Sequence, residues 1–184
     1  MNFVGKDEAN SHRVSKNQKK KHVKQMTQDE IAFIKKVVFR ALNEHNNKIK
    51  VSPHVLDKMM DYRTDYEINA VRAMLEHLDK HLIEYSHKTK NAVNVYKRRI
   101  LIRSTEEFNV MLDHKVQPCH LCVVLDIDKC EIITTYWCKA NWQHPNLRMN
   151  RYNKNLKIIS NTFKKGKRGS KNRNKKNKSF RKNA

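Results

Sequence analysis

Between residues 52 and 85 the chain gathers side chains suited to handling a phosphate. His54 and Lys58 are one helical turn apart, Arg63 follows at the head of a second helical stretch, and His77 and His81 are again one turn apart. Histidine has an unperturbed pKa of about 6.5 and so can both take and give a proton near neutral pH. RNA is cut without metal when a base takes the 2′-hydroxyl proton, an acid protonates the leaving 5′-oxygen and cations hold the charge growing on the phosphate. His54 suits the base, Lys58 a neighbouring cation and Arg63 a bidentate grip on phosphate. The same residues also suit a basic helical hairpin without chemistry, because ten histidines are scattered along the chain.

The elements that must position these groups are readable. Ser52 followed by Pro53 opens a helix, since the hydroxyl can accept an orphan N–H and the proline gives up none that is needed. Val55/Met59 and Leu56/Met60 then form an apolar side. Thr64 and Glu67 make a capping box for the next helix, whose stripe is Ile68, Val71, Leu75 and Leu78. On that wheel His81 falls at the margin of the stripe and His77 on the solvent side. Upstream, Thr27 and Glu30 form another capping box, followed by Ile31, Ile34, Val38, Ala41 and Leu42 up to about His45.

After Tyr85 the period becomes two. Val93 and Val95 lead to Lys97, Arg98 and Arg99, a basic turn or bulge, and Ile100 and Ile102 resume the alternation. Residues 105–117 fit either a helical turn or a strand. The clearest strands are 121–128 and 131–137, and a loop at Asp128 and Lys129 makes opposed residues sum to 257. The expected fold is α+β: three helices, then an antiparallel sheet of about four strands.

The net charge of +22 is unevenly placed. Residues 1–26 hold seven Lys/Arg against two acids, and residues 161–184 hold eleven with no acid. Such segments lack the apolar content to fold alone, so the expected organisation is a disordered basic arm (1–26), one α+β domain (27–160) and a disordered basic tail (161–184). Neither end has an amphipathic apolar face, which favours nucleic acid over membrane as the partner. Candidate contacts are Lys97, Arg98 and Arg99, then Arg148 and Arg151, and Lys164, Lys165, Lys167 and Arg168 in the tail. Tyr136 and Trp142 can stack on unpaired bases, although strand alternation turns either Tyr136 or Trp137 inward. The partner expected is RNA, single-stranded or messenger, with the ribosome or host transcription machinery as further targets. No stretch reaches the ~20 apolar residues of a membrane span and the start has no signal-peptide core, so a cytoplasmic location is expected.

Cys119 and Cys122 form a C-x-x-C with Cys130 and Cys138 downstream, and the 257 register sets Cys119 opposite Cys138. Strand residues three apart point to opposite faces, so small buried thiols are favoured over structural zinc. No metal and no cofactor is expected.

The run HVLDKMMDYR, the acidic helix after it and the closing IITTYW strand resemble the small RelE-like/barnase-like ribonuclease fold. They come closest to the RegB family of early-mRNA endoribonucleases of T-even phages, and to a family of domains of unknown function with a His…Arg…Arg helix and a T-x-Y strand. The resemblance covers roughly residues 51–152. It implies a phage or mobile-element endoribonuclease that attacks through the 2′-hydroxyl with two histidines and no metal. His54 is then the first histidine, Lys58 replaces the usual arginine, Arg63 is retained, and the second histidine is His77 or His81. The alternative is a basic nucleic-acid- or ribonucleoprotein-binding protein without catalysis.

Overall fold

The computed structural model describes residues 18–58, 64–89, 95–112, 114–141 and 149–158. In chain order the elements are β1 (Gln18–His22), a 3₁₀ turn (Val23–Gln25), α1 (Gln28–Glu44), β2 (Lys50–Val51), α2 (Pro53–Lys58), α3 (Thr64–Glu76), α4 (Leu78–His81), β3 (Leu82–Thr89), β4 (Val95–Arg103), β5 (Phe108–Leu112), β6 (Lys115–Asp126), β7 (Glu131–Lys139) and a second 3₁₀ turn (Met149–Arg151). The fold is α+β, as the two hydrophobic periods imply. The sheet has seven strands in the order β1-β3-β4-β6-β7-β2, with β5 paired to β6. Among the described residues no helix is long and apolar enough to cross a membrane.

Helix α1 begins where its capping box requires. The Glu30 N–H donates to the Thr27 hydroxyl at 3.2 Å, and the Thr27 N–H donates to the Glu30 carboxylate at 3.0 Å. It ends where Asn46 and Asn47 take left-handed backbone, a conformation asparagine tolerates. Its Ile34, Val37, Val38 and Ala41 pack with Val71, Leu75 and Leu78 of α3 and α4 onto one face of the sheet. That face supplies Tyr85, Ile100, Ile102, Leu121, Val123, Leu125 and Ile132. In α2, Val55 joins this core while Leu56 stays exposed, and their expected partners Met59 and Met60 lie outside the described residues.

The opposite face follows from the same alternation. Directly opposed residues of antiparallel strands share a face, which gives the rows Ser86–Arg99–Asp126, Glu84–Leu101–Val124–Thr134 and Arg103–Cys122–Tyr136. Leu101, Cys122 and Cys138 form a small buried cluster there, with Ile83, Val124 and Tyr136 around it. No described helix covers it.

Three sequence expectations are corrected by these pairings. First, the segment read as a helix running to Tyr85 turns into β3 at Leu82, and 105–117 resolves into β5 and the head of β6. Second, opposed residues sum to 257 only at Leu125↔Ile132 and Asp126↔Glu131. A bulge at Ile133 raises the sum to 258 beyond, so His120 rather than Cys119 opposes Cys138. Third, the basic arm does not extend to residue 26. Gln18–His22 is an edge strand paired with β3, Lys20 to Ser86 and His22 to Glu84.

The third correction has a physical cause. Lys20 and Lys21 are buried because each finds a carboxylate. Lys21 Nζ donates to both oxygens of Glu30 at 2.8 Å, and Lys20 lies 3.5 Å from Glu84. The chain after β7 then returns to seal the strand. The Asn153 N–H donates to the Lys20 carbonyl at 2.8 Å, Lys21 Nζ also donates to the Leu156 carbonyl at 3.3 Å, and the Tyr152 hydroxyl donates to Glu84 at 2.9 Å. The Lys20 ammonium sits 4.7 Å over the Tyr152 ring, which meets the His22 ring edge-on at 5.2 Å.

Candidate functional site

Of the phosphate-handling kit, the side chains of His54, His77 and His81 are described, the first on α2 and the other two on or beside α4. His54 is exposed on α2, which follows directly from β2 and packs on β7: the Ser52 N–H donates to the Ile132 carbonyl at 3.0 Å. His81 is half-buried at the end of α4, where its Nδ1–H donates to the Arg103 carbonyl at 3.0 Å. That bond leaves Nε2 as the only free ring nitrogen. β4 and β6 lie between β3, at whose head His81 sits, and β7. Three strand spacings amount to about 14 Å. His77 is exposed and caps α4 without a side-chain bond. Lys58 closes α2, and Arg63 lies outside the described residues. His54 thus stands beside β7 and His81 at the head of β3, with β4 and β6 between those two strands.

The basic run 97–99 is a bulge within an unbroken strand. Ser86 pairs with Arg99 and Lys88 with Tyr96, so β4 carries one extra residue there, and Lys97 has left-handed backbone. Arg98 is held by Asp128, its backbone N–H donating at 2.8 Å and its Nε at 2.7 Å. Arg99 pairs with the buried Asp126 at 3.7 Å. Among the described residues Arg98 and Arg99 are each paired with an acid and Lys97 has no such pair. Trp142, Arg148, Lys164, Lys165, Lys167 and Arg168 lie outside the described residues.

Arg151 is exposed, and it belongs to a pattern the tail counts concealed. From Ile132 to Ala184 the chain has sixteen Lys/Arg and no Asp or Glu. In the described part of this stretch Tyr152, Leu156 and Ile158 are buried against β1 and the core, while Arg151, Lys154 and Lys157 face solvent. Neither Lys154 nor Lys157 stood out in the sequence. The available signal was the position of the last acid, Glu131.

On the helix-free face, Tyr136 and Arg103 flank Cys122 in one row across β7, β6 and β4. Trp137 takes the other face, meeting Phe108 edge-on at 5.5 Å, as alternation demands of one of the two aromatics. The Tyr136 hydroxyl is pushed well above its ordinary pKa, first by burial and then by the Cys122 thiol, Glu84 and Cys138. Cys138 is drawn down to about 7 by a hydrogen bond from Cys122, with burial opposing and Arg103 assisting, and Cys122 rises correspondingly. All four cysteines are buried free thiols. Among the described residues no group of three or more His, Cys, Asp or Glu is arranged to hold a metal ion.

No family model matches the chain, and neither the curated proteins nor the solved structures contain a match.

Proposed function

We propose that this protein binds RNA through its C-terminal cations and does not cut it. The observation that carries the reading is the acid-free stretch after Glu131, whose described portion is fastened to β1 with Arg151, Lys154 and Lys157 turned outward. A polyanion is the complement of such a surface, because each neutralised phosphate releases counterions. The N-terminal arm contributes little: once Lys19, Lys20 and Lys21 belong to β1, residues 1–17 retain three Lys/Arg against two acids. RNA within a ribosome or another ribonucleoprotein presents the same phosphates and is an equally suitable target.

The test is anisotropy with a labelled single-stranded RNA over a salt series. For single strands each phosphate contact adds about 0.7 to the slope of log affinity against log salt. Deleting 161–184 lowers that slope by several such steps and leaves a cooperatively melting domain; an unchanged slope overturns the reading. Incubating the same RNA with protein in EDTA tests the endoribonuclease alternative. Cleavage that leaves a 2′,3′-cyclic phosphate, and that His54→Ala slows about 10²-fold or more, would replace the binding reading with catalysis.

A further inference from the structure

We infer that the helix-free face of the sheet is a platform for unpaired bases, centred on Tyr136 and Arg103, which makes the protein select single-stranded RNA over duplex. This rests on the RNA-binding reading and names the form of RNA bound.

The row Arg103–Cys122–Tyr136 sets a guanidinium and an aromatic ring two strand spacings apart, about 10 Å, with the small, fully buried Cys122 between them. The Tyr136 hydroxyl hydrogen-bonds Cys122 and lies within electrostatic reach of Cys138 and Glu84. Tyr136 and Arg103 remain half-buried rather than sealed. An aromatic ring and a guanidinium on one face are groups on which bases stack, and stacking tolerates any base because each has a π-face.

The electrostatics of the face also favour RNA. Each carboxylate on it has a cation within 4 Å: Asp126 with Arg99, Glu84 with Lys20, and Glu131 with Lys129. None of these three carboxylates is left without a cation to face a phosphate. The C-terminal segment docks at the β1 end of this same face, where Tyr152 meets Glu84, so a strand gripped by Arg151 and Lys154 is led onto it. A duplex keeps its bases stacked and paired, and offers such a face only phosphates. A single strand can turn its bases onto the ring.

The experiment is a competition on the full chain between a short single-stranded RNA and the duplex of the same sequence. Wild type prefers the single strand by about tenfold, the usual worth of one stacked base. Tyr136→Leu erases the preference by weakening single-strand binding about tenfold while duplex affinity and the salt slope stay put, and Tyr136→Phe keeps it. Should Tyr136→Leu fail to fold, ultraviolet cross-linking of a 4-thiouridine-substituted single strand to wild type decides the matter without a variant, with cross-links in the β7 peptide that contains Tyr136. Equal affinity of wild type for single strand and duplex, or cross-links confined to the C-terminal cations, overturns the platform and leaves RNA binding intact. Wild type that binds neither form overturns both.

Discussion

Leu125 and Val124 are neighbours on β6 and belong to different environments. Leu125 points into an aliphatic layer closed by α1, α3 and α4; Val124 points toward Leu101, Thr134 and Tyr136 on a face with no described helix. On the first face most contacts are apolar, with the buried Lys21–Glu30 pair at its β1 edge, so stability there largely follows area removed from water. On the second, charge is tolerated because it is paired: Lys20 with Glu84 and Arg99 with Asp126. One sheet therefore separates a face that holds the fold together from a face that can afford polar atoms.

The sharpest way to break this contrast is to empty one side at a time. Leu125→Ala should cost about 3 kcal/mol in urea unfolding and Val124→Ala about 1 kcal/mol, since only the first leaves a cavity in a closed core. Equal losses would mean the second face is sealed as tightly as the first.

Removing half of a pair should cost less than the core truncation but more than the half-buried valine. Glu84→Gln leaves the Lys20 ammonium buried beside a neutral amide, for about 2 kcal/mol. The double change Lys20→Met with Glu84→Leu should recover most of it, because no charge is then stranded. Failure to recover would show that the Tyr152 hydroxyl, and not the ion pair, is what Glu84 serves.

Acidity tests the same idea through His22 and His87, both buried. Burial lowers the pKa of each, helped by Lys24 at His22 and by Lys19 and Arg98 at His87. The native state thus binds fewer protons than the unfolded chain. Stability is full above the unfolded value near 6.5 and falls as pH drops through that value toward the folded one. The urea midpoint should decline between pH 7.5 and 5.5, and His22→Gln with His87→Gln should flatten the decline; a midpoint that rises would reverse the sign. The smallest effect expected is that of a strong chelator on the thiol cluster: a melting temperature within about 2 °C of the untreated protein and well under one zinc per chain by elemental analysis.

What could be read from the sequence was local. The Thr27–Glu30 box, the Val71–Leu75–Leu78 stripe and the β6–β7 hairpin all declare themselves within a few residues, and the structure has all three. The solvent position of His77 and the marginal position of His81 follow from the same wheel. β1 could not be read, because three consecutive lysines look solvated until Glu84 and Tyr152 arrive from elsewhere in the chain. The hairpin register slipped past Val124 for a related reason. A bulge at Ile133 leaves no mark in the residue types around it. Convergence of His54 with a second histidine likewise depended on how the helices are laid over the sheet, which spacing along the chain does not encode.

The returning segment at β1 has a consequence for synthesis. A chain emerging N-terminus first exposes β1 before any of its partners exist. Lys20 must wait for Ser86 and Glu84, and its carbonyl finds the Asn153 N–H only when nearly the whole domain has left the ribosome. The first strand made is thus the last one finished, and the loop it closes is among the longest in the molecule. Until then the nascent sheet carries an open edge whose three lysines discourage pairing with a neighbouring chain, as exposed charges at sheet edges do. In the finished fold two of the same lysines lie buried as structural cations.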